Sequence, residues 1–252
     1  MPLDNNIKVS KAGRSYVLYD ASIIAEPVLP LFKRDYHTNN GSQQNKSVSP
    51  PGEQPSGGIG RARVTYFTQG DKSYVLKHYY RGGLVASILK DRYLGFSVLK
   101  SRAFREFRLL KKMQQLGLPV PVAVAAHVSK GLLFYRADLI TEELQRTRTL
   151  SDVLSDHAID ETSWGRIGAC IKQFHQQDIY HADLNARNIL LSASAAIYLI
   201  DFDNSYFRTG SESWKMANLA RLKRSLNKFK GNSAGFNFDE ADWSALLDGY
   251  NS

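Results

Sequence analysis

The sequence predicts an α+β protein of two lobes, a β-rich lobe first and a helical lobe second. Three observations carry this. Residues 61–80 and 123–140 each contain two strand-like runs joined by a short turn containing glycine. Trp164, Ile167, Ile171 and Phe174 then recur along one stripe at helical spacing. The last 40-odd residues also read as helical.

Taken in order, residues 1–37 form an N-terminal segment whose LPLFKRDY packs on the small lobe. Residues 38–58 (TNNGSQQNKSVSPPGEQPSGG) are polar, rich in Ser, Pro, Gly and Asn, and lack apolar periodicity, which predicts a flexible loop. The N-terminal lobe follows over 59–141. In it RARVTYFTQ and SYVLKHYY make a hairpin through Gly-Asp, and AVAAHV and LLFYRADLI make a second through Ser-Lys-Gly. Between the hairpins, Phe104, Phe107, Leu110 and Met113 predict a helix ending at Gly117. The C-terminal lobe spans 142–252. Its first helix carries Cys170 beside the apolar stripe, where the thiol reads as a small buried hydrophobe. NILL and AIYLIDFD then read as another small hairpin.

Composition excludes several classes. At 43% hydrophobic and 11% aromatic, the 252 residues describe a globular chain rather than a disordered one. One cysteine cannot form an internal disulfide, and Cys–His zinc spacing is absent. MPLDNNIKVSKAGRS lacks the apolar core of a signal peptide, and no apolar run reaches the roughly 18 residues of a membrane span. The net charge of +9 is concentrated: residues 61–112 carry +10 and residues 208–230 carry +6, so the remainder is acidic. These two segments suit polyanionic partners (phosphates, nucleic acid or an anionic membrane face), or they are simply a solvated surface.

The chemistry concentrates in HADLNARNILL, residues 181–191, and in LIDFD, which ends 12 residues later at Asp203. Metal-assisted phosphoryl transfer needs a carboxylate to orient the acceptor hydroxyl and take its proton. It also needs a pair of oxygen ligands to hold a cation on the phosphates. A turn carrying Asp183 and Asn188 five apart, followed by a hairpin ending in Asp201, can bring those three groups together. In SYVLKHYY strand alternation puts Val75 and Lys77 on one face. Lys77 suits the α- and β-phosphates and Val75 an adenine ring, or Lys77 is an exposed edge charge. Glu106, the lone acid in residues 92–112, is either its ion-pair partner or the partner of a neighbouring arginine. No G-x-x-x-x-G-K-[ST] is present, which excludes a P-loop enzyme.

H-A-D-L-N-A-R-N followed by D-F-D resembles the protein-kinase-like superfamily, whose corresponding loops read H-R-D-x-x-x-x-N and D-F-G. That resemblance implies a two-lobe kinase fold binding ATP and Mg²⁺. It makes Asp183 the catalytic base, Asn188 a metal ligand, Asp201 the principal metal ligand and His181 a structural support. By the same resemblance Gly58 and Gly60 of SGGIGRARV belong to a phosphate-covering loop, with Arg63 in place of its third glycine, or Gly57–Gly60 only end the flexible segment. Asn185 stands where protein kinases usually have lysine. Asp203 stands where they have glycine, and either assists the metal or bonds within its loop. No A-P-E follows and only 49 residues lie beyond Asp203, which argues against a protein substrate.

VLKHYYRGGL, SRAFREFRLL, GLPVPVAVAA, YRADLIT, HADLNARNILL, LIDFD and WKMANLARLKRSL together resemble the 3-deoxy-D-manno-octulosonic acid (Kdo) kinases of lipopolysaccharide core biosynthesis in Gram-negative bacteria, over most of residues 56–250. This implies transfer of phosphate from ATP to the Kdo sugar of a lipid A precursor, at the 4-hydroxyl. It also implies peripheral association with the cytoplasmic face of the inner membrane. In that family the position of Lys77 is cationic, lysine or arginine. Arg81, Arg221 and Arg224 could meet the sugar carboxylate or lipid phosphates, or be ordinary solvated arginines. RGGLVASILKDRYLGFSVLKSR suits an anionic bilayer or packs on the small lobe. Trp214 reads as core rather than as a sugar platform. Nucleic acid is a poor partner, because no recognised binding fold accompanies the basic segments. No obligate protein partner is evident. The competing readings are a heptose or other small-molecule kinase, and a non-catalytic module binding lipopolysaccharide or an anionic membrane.

Overall fold

A computed structural model describes residues 5–26, 29–32, 63–79, 98–130 and 135–252. It divides into two compact units, Met1–Lys111 with Val122–Glu143, and Lys112–Pro121 with Leu144–Ser252. The 38–58 loop and the basic, apolar stretch from Arg81 to Ser97 lie outside the described residues.

The first unit is one antiparallel sheet. Its strands are β1 (Ile7–Ala12), β2 (Ser15–Asp20), β3 (Arg63–Gln69), β4 (Lys72–Tyr79), β5 (Ala123–Lys130) and β6 (Tyr135–Glu142), in the order β1-β2-β5-β6-β4-β3. Both strand pairs expected from the sequence form; in the second, Ser129 and Lys130, read as turn, extend β5 because they pair with Arg136 and Tyr135, and residues 131–134 lie outside the described residues. At the β3–β4 turn Gly70 has φ +60°, the left-handed residue that a two-residue loop requires at its first position. The sequence analysis assigned no strands to β1 and β2. IKVSKA is an edge strand with mixed polarity and no buried face, so its alternation carries little signal.

Val17, Tyr19, Leu31, Phe32, Phe67, Tyr74, Leu76, Val124, Ala125 and Ile140 form an apolar core in this unit. Along β4, Tyr74 and Leu76 point into it, so alternation turns Val75, Lys77 and Tyr79 to the other face. A row crosses three strands in register, with the buried Asp138 carboxylate meeting Nδ1 of the half-buried His78 and His127. Burial alone would raise the Asp138 pKa, but the two imidazoles outweigh it and hold the carboxyl below its ordinary 3.8.

Helix α1 (Arg102–Gln115) buries the predicted stripe of Phe104, Phe107, Leu110 and Met113, and Ala103 beside it. Its end is set by Gly117 at φ +71°, with Leu118 N–H donating back to the Met113 carbonyl and Gly117 N–H to that of Gln114.

The second unit holds α2 (Leu150–Asp156), α3 (Glu161–Gln176), α4 (Ser213–Asn232) and α5 (Glu240–Asn251). Strands β7 (Thr147–Thr149), β9 (Ile189–Ser192) and β10 (Ile197–Leu199) pair as β10-β9-β7, and β8 (Ile179–Tyr180) pairs with β11 (Tyr206–Phe207). Asp160 caps α3 by accepting from Ser163 N–H at 2.7 Å, and Trp164, Ile167, Cys170, Ile171 and Phe174 are buried along it. Burial pushes the Cys170 thiol up to about 12, which leaves it inert packing.

Helices α3 and α5 touch backbone to backbone. A Cβ on Gly168 would lie 1.9 Å from the Leu246 carbonyl oxygen, and one on Gly249 would lie 2.0 Å from that of Gly165. Two glycines inside helices cost about 1 kcal/mol each in propensity, and the close approach is what they permit. The α+β class, with a β-rich unit preceding a helical one, is as the sequence predicts.

Candidate active site

Asp183 stands on an irregular loop between β8 and β9, and the loop's rigidity comes from its backbone. The neutral His181 ring has a defined tautomer: Nδ1 accepts from Asp183 N–H at 3.1 Å, so Nε2 carries the hydrogen and donates to the Ile200 carbonyl at 2.9 Å. The ring is buried, 4.7 Å from Phe202, and braces the loop. Ala182 N–H donates to Ser205 Oγ at 3.0 Å, and Ala186 N–H to Ser225 Oγ at 3.3 Å. The Ala186 carbonyl accepts from Ser151 N–H at 3.0 Å.

Helix α4 supplies the other side of this frame through Asn218, Arg221 and Ser225, spaced three and four apart and hence on one face. Asn218 is buried. Its Nδ2 donates to the His181 carbonyl at 2.9 Å, and its Oδ1 accepts from His181 N–H at 3.3 Å. Those two bonds fix the amide orientation, so the ring of His175 must donate from Nε2 to the same Oδ1 at 3.4 Å. His175 Nδ1 is then an acceptor, and Tyr250 O–H on α5 donates to it at 2.8 Å. Burial pushes the His175 pKa down to about 4, keeping the ring neutral in this chain of bonds.

With its backbone tied, Asp183 leaves its side chain 61% exposed. Oδ2 accepts from Asn185 Nδ2 at 3.0 Å, while Oδ1 lies 3.6 Å from Arg221 Nη1. Asn188 is buried, and its Nδ2 donates to the Asp183 carbonyl at 2.8 Å. That bond leaves Oδ1 as the end able to ligate a cation. The Asn188 carbonyl accepts from Ile200 N–H at 3.0 Å, which couples Asn188 to the residue preceding Asp201. Asp201 is exposed and has φ +61°, a conformation costing an L-residue about 1–2 kcal/mol. The turn lets Phe202 bury against Phe174 at 5.8 Å while Asp201 faces out. Asp203 accepts from Asn204 within the same loop at 3.1 Å.

Among the described residues, no three His, Cys, Asp or Glu side chains gather as a metal cage. An amide oxygen and a carboxylate nonetheless fit Mg²⁺, which keeps several waters and is commonly bound by one or two carboxylates together with substrate phosphates.

In the first unit, Lys77 Nζ donates to both carboxylate oxygens of Glu106, at 2.9 and 3.0 Å. Tyr79 O–H donates to Glu106 as well, and its ring lies 4.8 Å from Lys77 Nζ. Val75 shares the strand face of Lys77. Gly58, Gly60 and Arg81 lie outside the described residues. Arg224 is exposed on α4, one turn beyond Arg221. Trp214 is core, packed edge-on to His175 at 5.1 Å. Asn218, Ser205 and Ser225 were not among the residues expected from the sequence. An asparagine set among Trp214, Leu219 and Leu222 was the available signal, since a buried amide in an apolar stripe needs partners.

The model of the lipopolysaccharide kinase (Kdo/WaaP) family matches residues 56–250. A 3-deoxy-D-manno-octulosonic acid kinase of Vibrio vulnificus (strain YJ016) is 36% identical over 98% of this chain and 99% of its own length. The enzyme of the same description from Actinobacillus succinogenes is 44% identical over 69% and 74%, and that of Haemophilus influenzae (strain PittEE) is 38% identical over 76% and 84%. A solved structure of the bifunctional kinase-methyltransferase WbdD matches at TM-score 0.42 and 15% identity, over 75% of this chain and 42% of that one. A family match across this span, with similarity running nearly end to end in one relative, means that this chain belongs to the lipopolysaccharide kinase (Kdo/WaaP) family.

Proposed function

We propose that the chain is an ATP-dependent sugar kinase that phosphorylates the Kdo residue of a lipid A precursor at its 4-hydroxyl. The observation that carries this reading is Asp183, an exposed carboxylate on a loop whose backbone is bonded at His181, Ala182, Asp183, Ala186 and Asn188. A base must reach an incoming hydroxyl, yet stay within a few tenths of an ångström of its working position. Asp183 orients the acceptor hydroxyl and takes its proton as the oxygen attacks. Asn188, through Oδ1, and Asp201 hold Mg²⁺. When bound, ATP and the cation supply the phosphoryl group and neutralise charge that develops on its oxygens.

Lys77, fixed by Glu106 and Tyr79, holds the α- and β-phosphates, while Val75 touches the adenine and Gly58 and Gly60 cover the phosphates. The first unit is thus the nucleotide-binding lobe, and the second carries catalysis and acceptor binding. Arg81 and Arg224 hold anionic groups of the acceptor or of the membrane carrying it. The protein works at the cytoplasmic face of an anionic inner membrane. We read its attachment there as peripheral, held by anionic lipid; among the described residues no helix is long and apolar enough to cross a membrane.

The test incubates the protein with ATP, Mg²⁺ and a Kdo-bearing lipid A precursor, with mass spectrometry as the readout. One phosphate is expected on Kdo, and Asp183→Ala slows its appearance by about 10²–10⁴-fold. An unmodified Kdo in the presence of bound ATP overturns the acceptor assignment.

A further inference from the structure

Arg221 and Asp183 face one another without being bonded. Nη1 lies 3.6 Å from Oδ1, beyond hydrogen-bond length, and the two side chains are 42% and 61% exposed. Among the described residues Arg221 makes no hydrogen bond, although a guanidinium carries five donors in a planar fork. Its neighbours on the same face of α4 are fully committed to the loop: Asn218 binds the His181 backbone and Ser225 binds Ala186. The helix therefore delivers an uncommitted guanidinium to the edge of the catalytic carboxylate. An exposed pair at this distance is weak and easily exchanged.

We infer that Arg221 is the residue that recognises the carboxylate of the acceptor sugar, exchanging Asp183 for that anion as the hydroxyl settles on Asp183. The inference rests on the proposed function, in which the acceptor is a sugar acid. A hydroxyl must come within about 3 Å of the Asp183 carboxylate to lose its proton there. Arg221 reaches the same oxygen, so substituents near the reacting hydroxyl fall within range of its fork. A sugar carboxylate is ionised at neutral pH, and a planar guanidinium binds such a group through two parallel hydrogen bonds. The pairing gives the site its preference: an acid gains charge-assisted bonds to Arg221 that a neutral sugar does not.

The experiment compares wild type, Arg221→Gln and Arg221→Lys on two acceptors, a Kdo-bearing lipid A precursor and the same molecule with its Kdo carboxylate converted to a neutral methyl ester. Wild type should prefer the acid by at least about tenfold in kcat/KM, since charge-assisted pairing is lost with the ester. Arg221→Gln should lose that preference by falling to the ester's level on the acid, with the KM for ATP unchanged. Arg221→Lys should recover part of it, because an ammonium keeps the charge and not the fork. Equal losses on both acceptors, or a wild type that does not distinguish them, overturn the role of Arg221 while leaving the Kdo kinase reading intact. A wild type that phosphorylates neither acceptor overturns that reading and this inference with it.

Discussion

Two ion pairs, one in each unit, are built on opposite plans. Lys77 and Glu106 are 13% and 4% exposed, bonded through both carboxylate oxygens, and joined by Tyr79. Arg221 and Asp183 are largely exposed and merely adjacent. In the first the side chains themselves are immobilised, by a strand on one side and a helix on the other. In the second the backbone is immobilised and the side chains are left exchangeable. The difference teaches where each kind of order is useful. In the proposed roles, a cation that holds the same phosphates in every cycle gains from a fixed position, and a base that must accept a new hydroxyl in every cycle needs a fixed mount and an accessible carboxylate.

The comparison breaks most readily at the buried pair. Glu106→Gln removes one charge of a buried, doubly bonded pair, and should cost about 3–5 kcal/mol in urea unfolding. A loss below about 1 kcal/mol would mean that the first pair is as loosely held as the second.

The mount of the second pair has its own test in pH. The folded protein keeps His175 neutral down to about 4, while the unfolded ring takes a proton near 6.5. The unfolded state therefore binds more protons between these values. This contribution is complete above pH 6.5 and is lost progressively as pH falls toward 4, about 3 kcal/mol in all. Unfolding free energies measured from pH 7 to 4 should fall more steeply in wild type than in His175→Gln. Parallel curves would remove His175 from the frame of the loop.

Asn218→Ala removes two hydrogen bonds to the buried His181 backbone, and should cost about 1–3 kcal/mol. It should also lower kcat about 10²-fold by displacing Asp183, with the KM for ATP unchanged. A KM change with kcat retained would place Asn218 outside the mount. The smallest effect belongs to Arg221→Gln, which should move stability by less than about 1 kcal/mol in thermal or urea melts. A larger loss would show that Arg221 is part of the frame.

How much of this was legible follows from the range of the signals. H-x-D-x-x-x-x-N and D-F-D are local, so Asp183, Asn188 and Asp201 could be singled out from their spacing together with the kinase-like resemblance it carries. The hairpin at Gly70 and the stripe from Trp164 to Phe174 were equally local, since turn chemistry and helical periodicity operate within a few residues. The Lys77–Glu106 pair was readable as one of two options, because a single acid stood among many basic residues. Strands β7, β8 and β11 run two or three residues, too short for any period to register. Strand β1 was hidden by its mixed polarity at the sheet edge, and β2 by burial over Val17–Asp20, which leaves no alternation to read.

The sequence by itself determined the class of the fold, the order of its units, and the three residues around which phosphoryl transfer is proposed. Tertiary structure alone decided what holds them. Asn218, Arg221 and Ser225 reach the loop from 30 to 40 positions along the chain, and they do so because α4 packs one face against it. It likewise decided that Gly168 and Gly249 must remain glycines. The physical reason is common to both. Packing sets which groups lose water together, and a polar group or a missing Cβ acquires its meaning only from the atom placed opposite it.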